Sequence, residues 1–174
     1  MQQGWSIKSL HRLIMSSHVY QQATNHADNL SPARQTADPG NYLYGHFERH
    51  RLEAESLRDA LLSVSGVLNT KMGGPGVKPE LPPNFKGRDW EVTPNQQERN
   101  RRSVYILAKR NLPYPFLQAF DLPDTFESCA RRQVTNTGPQ SLTLLNSDSV
   151  MKYAQSFAGR LLFDNPSADT QTLI

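Results

Sequence analysis

Cysteine is almost absent from this chain: Cys129 is the single one in 174 residues. One thiol cannot build an internal disulfide framework, a paired-cysteine metal site or the Cys-x-x-Cys-His motif that attaches haem covalently. No cofactor is expected within these residues. Long apolar runs are missing as well. None approaches the roughly 18 to 20 residues that a bilayer-spanning helix needs, and the first residues lack the basic start and apolar stretch of an export signal. A soluble segment without a membrane span is therefore expected. There is also no glycine-rich phosphate loop, no nucleophile elbow and no internal repeat. The net charge of +3 is a mild surplus that calls for no polyanionic partner. The basic stretch at Arg99, Arg101 and Arg102 has only Tyr105 as a neighbouring stacking ring, so nucleic acid is excluded from the expected partners.

What is present is polar and punctuated. Mean hydropathy is −0.62, with 12 prolines and 10 glycines. That composition predicts a mainly α, irregular multi-helix domain with long Pro/Gly-rich loops and at most one or two short strands. The length suits a single domain over residues 1–174. Ile7, Leu10, Leu13 and Ile14 recur at helical spacing after Ser6, which predicts a capped helix over residues 6–22. Trp5 and this amphipathic helix come so early that an upstream segment is expected to pack against them. Residues 24–40 read as a surface loop, and Asp38-Pro39 as a helix start. The longest predicted helix covers residues 43–68, with Phe47, Leu52, Leu57, Leu61 and Leu62 on an apolar face. Its charges Glu55, Arg58 and Asp59 read as a solvated face, or alternatively as a surface turned toward a partner domain.

Gly73-Gly74-Pro75-Gly76 ends helical structure, and residues 73–95 form a proline-rich loop able to dock Phe85 and Trp90 onto the body. The β-formers Val104, Tyr105 and Ile106 suggest a short strand over residues 103–108. A brief helix to Asp121 should bury Phe116, Leu117 and Phe120. A turn at Gly138-Pro139 precedes another helix, Ser147 or Asp148 caps the last one, and a tail from about residue 164 to 174 is expected to be disordered.

Several groupings carry potential chemistry. Cys129 stands beside Arg131 and Arg132, guanidiniums that favour a thiolate or clamp a carboxylate. Asp121 and Asp124 flank Leu122-Pro123, as an acid-base pair or as ordinary turn residues that accept backbone N–H bonds. Arg110, Arg131 and Arg132 are expected to converge with these acids near Cys129 into a charged cluster that locks the loops. His46, His50 and Glu53, spaced for one helix face, are candidate metal ligands, although Phe47 stands where a zinc-protease motif needs its glutamate.

The series Gly4-Trp5-Ser6-Ile7-Lys8, Leu10-His11-Arg12-Leu13-Ile14-Met15, Arg51-Leu52-Glu53-Ala54-Glu55, Arg58-Asp59-Ala60 and Met72-Gly73-Gly74-Pro75 forms a recognisable order. It continues through Arg102-Ser103-Val104-Tyr105, Lys109-Arg110-Asn111-Leu112-Pro113, Ser128-Cys129, Arg131-Arg132 and Leu142-Thr143-Leu144-Leu145-Asn146. This resembles the planctomycete-specific C-terminal domain of unknown function found in large cytochrome-like surface or periplasmic proteins. The resemblance implies that the chain is the later part of a larger family domain. It further implies an export signal and a haem-binding segment ahead of it, with carbohydrate-binding-like modules in some relatives. It carries over no catalytic residue. At Gly45, His46 and His50 the family places an aromatic residue and arginines, which argues against the metal site.

The function expected from these readings is a non-catalytic structural or interaction module of an exported multidomain protein. Its partners would be neighbouring domains of the same polypeptide and cell-surface or glycan components, in the periplasm or at the cell surface. The rival expectation is a hydrolase-type enzyme using Cys129 or the Asp121 and Asp124 pair, in a cleft completed by upstream residues.

Overall fold

The computed structural model describes residues 4–24, 36–83, 85 and 89–166. It divides into two compact units, Met1–Arg51 and Leu52–Ile174. Among the described residues the protein is mainly α-helical, with isolated β-bridges in place of a sheet.

In the first unit, α1 runs over Ile7–Met15. Ser6 is extended, and its Oγ accepts the Ser9 N–H at 3.3 Å, so the predicted cap is the observed one. The helix ends earlier than its apolar spacing suggests. Ser17 donates its hydroxyl to the Ile14 carbonyl at 2.7 Å and accepts the Tyr20 N–H, offering the backbone a turn in place of another helical rung. Asp38 does not start a helix either. Its two carboxylate oxygens accept the N–H groups of Tyr42 and Leu43 at 2.9 and 2.8 Å, folding a turn that Asn41 and Tyr44 complete at positive φ. The long helix predicted over residues 43–68 therefore lacks its first part. Residues 25–35 of the expected loop 24–40 lie outside the described residues.

The second unit opens with α2, Ala54–Val64, whose buried residues Ala54, Arg58 and Leu62 recur every four positions along one face. Gly66, at φ +75°, closes the helix, and the N–H groups of Val67 and Leu68 turn back onto the Leu62 carbonyl. Arg160 covers another open carbonyl, donating to Val64 O at 3.0 Å. Then come α3 (Gln96–Arg99), a 3-10 turn (Ser103–Tyr105), α4 (Pro115–Ala119), α5 (Gly138–Asn146) and α6 (Asp148–Asp164).

Trp90, Tyr114, Phe116, Leu117, Phe120 and Val150 pack with Ala54 into the core. The burial expected of Phe116, Leu117 and Phe120 is found. So is the docking of the proline-rich loop, because the Trp90 indole donates to Pro79 O at 2.8 Å and its ring stacks on Tyr114 at 6.2 Å. The strand predicted at 103–108 is instead the 3-10 turn followed by a single bridge. Val77 donates to Tyr105 O at 2.8 Å and accepts from Leu107 N at 2.9 Å, and the pairing stops there. The turn expected at Gly138-Pro139 is the first turn of α5, entered through a capping box between Thr137 and Gln140. Ser147 is the N-cap of α6. The tail beyond Pro166 lies outside the described residues.

Candidate functional site

Two buried arginines organise the second unit. Arg58 is 1% exposed and Arg101 is fully buried at 0%. A buried guanidinium is tolerable only when hydrogen bonds replace its hydration. Arg58 projects from α2, and its Nη1 donates to Arg101 O at 3.0 Å and to Ser103 Oγ at 3.2 Å. Its Nη2 reaches Arg99 O at 2.7 Å. Next to it, the Asp59 carboxylate accepts the Ser103 N–H at 2.6 Å and pairs with Arg102 Nε at 3.5 Å. The expected solvated or partner-facing surface of Glu55, Arg58 and Asp59 is thus corrected for Arg58 and Asp59. They bind backbone that the sequence places more than 40 positions away.

Arg101 does for the Gly-Gly-Pro-Gly loop what Arg58 does for residues 99–103. It donates to Pro75 O at 3.2 Å, to Lys71 O at 3.3 Å and to Gly73 O, while Glu98 balances its charge at 3.6 Å. The guanidinium carbon also sits 3.8 Å from the centroid of the Tyr105 ring, a cation-π placement. The Tyr105 hydroxyl in turn accepts the Gly73 N–H at 2.9 Å. Sequence reasoning missed Arg101. The signal for it was the loop itself, since glycines and proline carry no side chain able to satisfy their own carbonyls.

The predicted charged cluster does not assemble as one site. Arg132 pairs with Glu55 at 2.6 Å and Glu53 at 3.4 Å, reaching α2. Asp121, at φ 63°, accepts the N–H and hydroxyl of Thr135, each at 2.8 Å, and Gln140 Nε2 joins them by donating to the same hydroxyl. Asp124 accepts the Phe126 N–H at 2.9 Å, and Arg110 lies over the Phe126 ring at 5.6 Å. Asp121 and Asp124 therefore work as turn residues. Arg131 and Cys129 are both exposed. The metal candidates lose their common helix face, because residues 46–50 are irregular and Glu53 is the N-cap residue of α2. His50 lies 4.0 Å from Glu48 and edge-on to Phe47. Among the described residues no three His, Cys, Asp or Glu side chains gather as a metal site.

The Glu55–Arg132 link has an acid signature. Burial alone raises the Glu55 carboxyl pKa, but the hydrogen bond and charge of Arg132 outweigh it, and the net shift is downward. Lys152 likewise lowers Glu80, chiefly by its hydrogen bond, and Lys71 lowers Glu98 in the same way. A depressed carboxylate adds stability that is complete above its unfolded pKa of about 4.3 and is lost as pH falls through the folded value. Thermal melts are therefore expected to hold level down to about pH 5 and to decline below it. Arg132→Gln should flatten part of that decline, and a slope equal to that of the wild type would remove Glu55 from the account.

Beside the core lies a groove of about 880 Å³, walled by Trp90, Tyr114, Phe116 and Leu142 and rimmed by Glu80 and Lys152. Tyr114 is held as a neutral phenol, its pKa pushed up to about 12 mainly by burial. A second, smaller cavity of about 70 Å³ adjoins it, sharing Glu80, Tyr114, Ser149 and Lys152 and adding Arg58 and Arg99.

These features define a mainly helical protein in which arginine side chains tie down loops of the second unit. Residues 1–173 match the family described as PSD1, protein of unknown function (DUF1553), and the chain belongs to that family. Neither the curated proteins nor the solved structures provide a match.

Proposed function

We propose that the chain is a non-catalytic structural and interaction module of an exported multidomain protein of the cytochrome-like kind, joined to neighbouring domains of the same polypeptide through α1. In this reading haem belongs to a preceding segment, and the setting is the periplasm or cell surface, with cell-surface or glycan components as further partners. One observation carries the attachment: the apolar stripe of α1 is open to solvent. Ile7 and Leu13 are each 69% exposed, Leu10 is 54% exposed, and Trp5 ahead of them is 84% exposed. Full burial of each such side chain is worth roughly 1.5 to 3 kcal/mol. A helix with this face makes physical sense when another surface covers it.

The buried arginines support the same reading. Their Nη donors hold loop carbonyls and the Ser103 hydroxyl, so both side chains fix the shape of the loops.

The paired change Leu10→Glu with Leu13→Glu tests the attachment. In this chain alone the melting temperature should stay within a few degrees of the wild type. In the full-length polypeptide, the amides of residues 7–15 should exchange slowly in the wild type and fast in the variant. Fast exchange in the wild-type full-length protein would overturn the proposal.

A further inference from the structure

We propose that the 70 Å³ cavity between α2, α3 and α6 is a binding site for one small oxyanion of the phosphate or sulfate type. Its lining residues include three cationic ones, Arg58, Arg99 and Lys152, against a single acidic one, Glu80. Glu80 is already taken up by two of these cations. Its oxygens lie 3.0 Å from Arg99 Nη2 and 2.7 Å from Lys152 Nζ. That leaves the charge of Arg58 without a carboxylate partner among the described residues. Its acceptors are the neutral oxygens of Arg99, Arg101 and Ser103, and its buried Nε–H has no acceptor at all.

A buried, uncompensated cation favours an anion beside it. The remaining lining matches that ligand. Tyr114 and Tyr153 carry hydroxyls, and Gln96 and Asn100 carry amides, while the Ser156 hydroxyl is donated to Lys152 O and the Ser149 hydroxyl pairs with that of Ser147. Oxyanions with several acceptor oxygens suit arginine and lysine side chains with several donors better than a halide does. Size selects in the same direction, because a single water needs about 10 to 15 Å³ of such space, so the cavity takes a four-oxygen anion and is too small for a drug-sized substrate.

Phosphate in this cavity is either free or the head of an organic molecule whose body lies in the adjoining groove, since the two spaces share Tyr114, Ser149 and Lys152. Calorimetric titration at constant ionic strength separates these sources and tests the site. Inorganic phosphate should bind with saturation, and chloride should not compete with it. Lys152→Gln should weaken phosphate roughly tenfold, the loss of one charge-assisted hydrogen bond. Glu80→Gln, which removes the only carboxylate in the lining, should tighten it. Tighter binding of phenyl phosphate than of phosphate supports the site with an organic ligand, and equal or weaker binding supports it with the free anion. Absence of saturable phosphate binding, or equal affinity in the wild type and both variants, overturns the proposal.

Discussion

Arg58→Met is expected to destabilise the second unit by about 3 to 5 kcal/mol, because it strips the donors from two buried acceptors and a part-buried one at once. Arg101 O and Ser103 Oγ would be left in the interior without their partner, and the part-buried Arg99 O would lose its own. For a unit of this size the melting temperature should fall by roughly 10 to 20 °C. Methionine nearly fills the space of the arginine stem, so a cavity contributes little and the loss reports on the hydrogen bonds. Arg58→Lys separates charge from geometry. A single ammonium cannot fork between the carbonyls of residues 99 and 101, and it should recover less than half of the stability. Full recovery by lysine in a denaturant titration would show that charge alone matters at this position.

Arg101→Ala is expected to be nearly as damaging, at about 3 to 4 kcal/mol, with a different signature. Its guanidinium holds the carbonyls of Lys71, Gly73 and Pro75 and covers the Tyr105 ring. Losing it frees the glycine loop from the 3-10 turn, so the Gly73 amide should exchange much faster while the amides of α2 change little. Similar exchange acceleration throughout the unit would mean that the loop is held by something else. The two arginines are also coupled, because the main-chain oxygen of Arg101 is an acceptor for Arg58. The double substitution should cost less than the sum of the single ones, by the logic of neighbouring sites.

The parts of this fold that were legible in the sequence are those specified by neighbours along the chain. Ser6 before an apolar-periodic stretch caps α1, and Ser147 stands at the N-cap position of α6. Phe116, Leu117 and Phe120 lie buried as their spacing indicates. Illegible were the places where a local polar contact overrules the periodicity. Leu43 and Leu52 look like helix-face residues, yet they are 82% and 52% exposed, because the Asp38 turn and the positive φ angles of Asn41 and Tyr44 break the chain before α2.

The candidate site was harder still. An arginine between Glu55 and Asp59 on an amphipathic helix reads as solvent-facing, and nothing local distinguishes it from one that turns inward. Its partners are peptide oxygens, which every residue has, so they leave no mark in the sequence. Val104, Tyr105 and Ile106 misled for a related reason. Tyr105 serves as the platform beneath Arg101, and an aromatic β-former placed there has the look of a strand residue.

Clamping through carbonyls also shapes how such a fold can diverge. Gly73 and Gly74 are held to their positions by positive φ, but the oxygens offered by residues 71, 75, 99 and 101 would be there whatever side chains those residues bore. Drift at the acceptor positions 71 and 99 costs the clamps nothing, whereas neither guanidinium has a chemical substitute. Two related chains can thus share the architecture while their loop spellings diverge, provided both forks are kept.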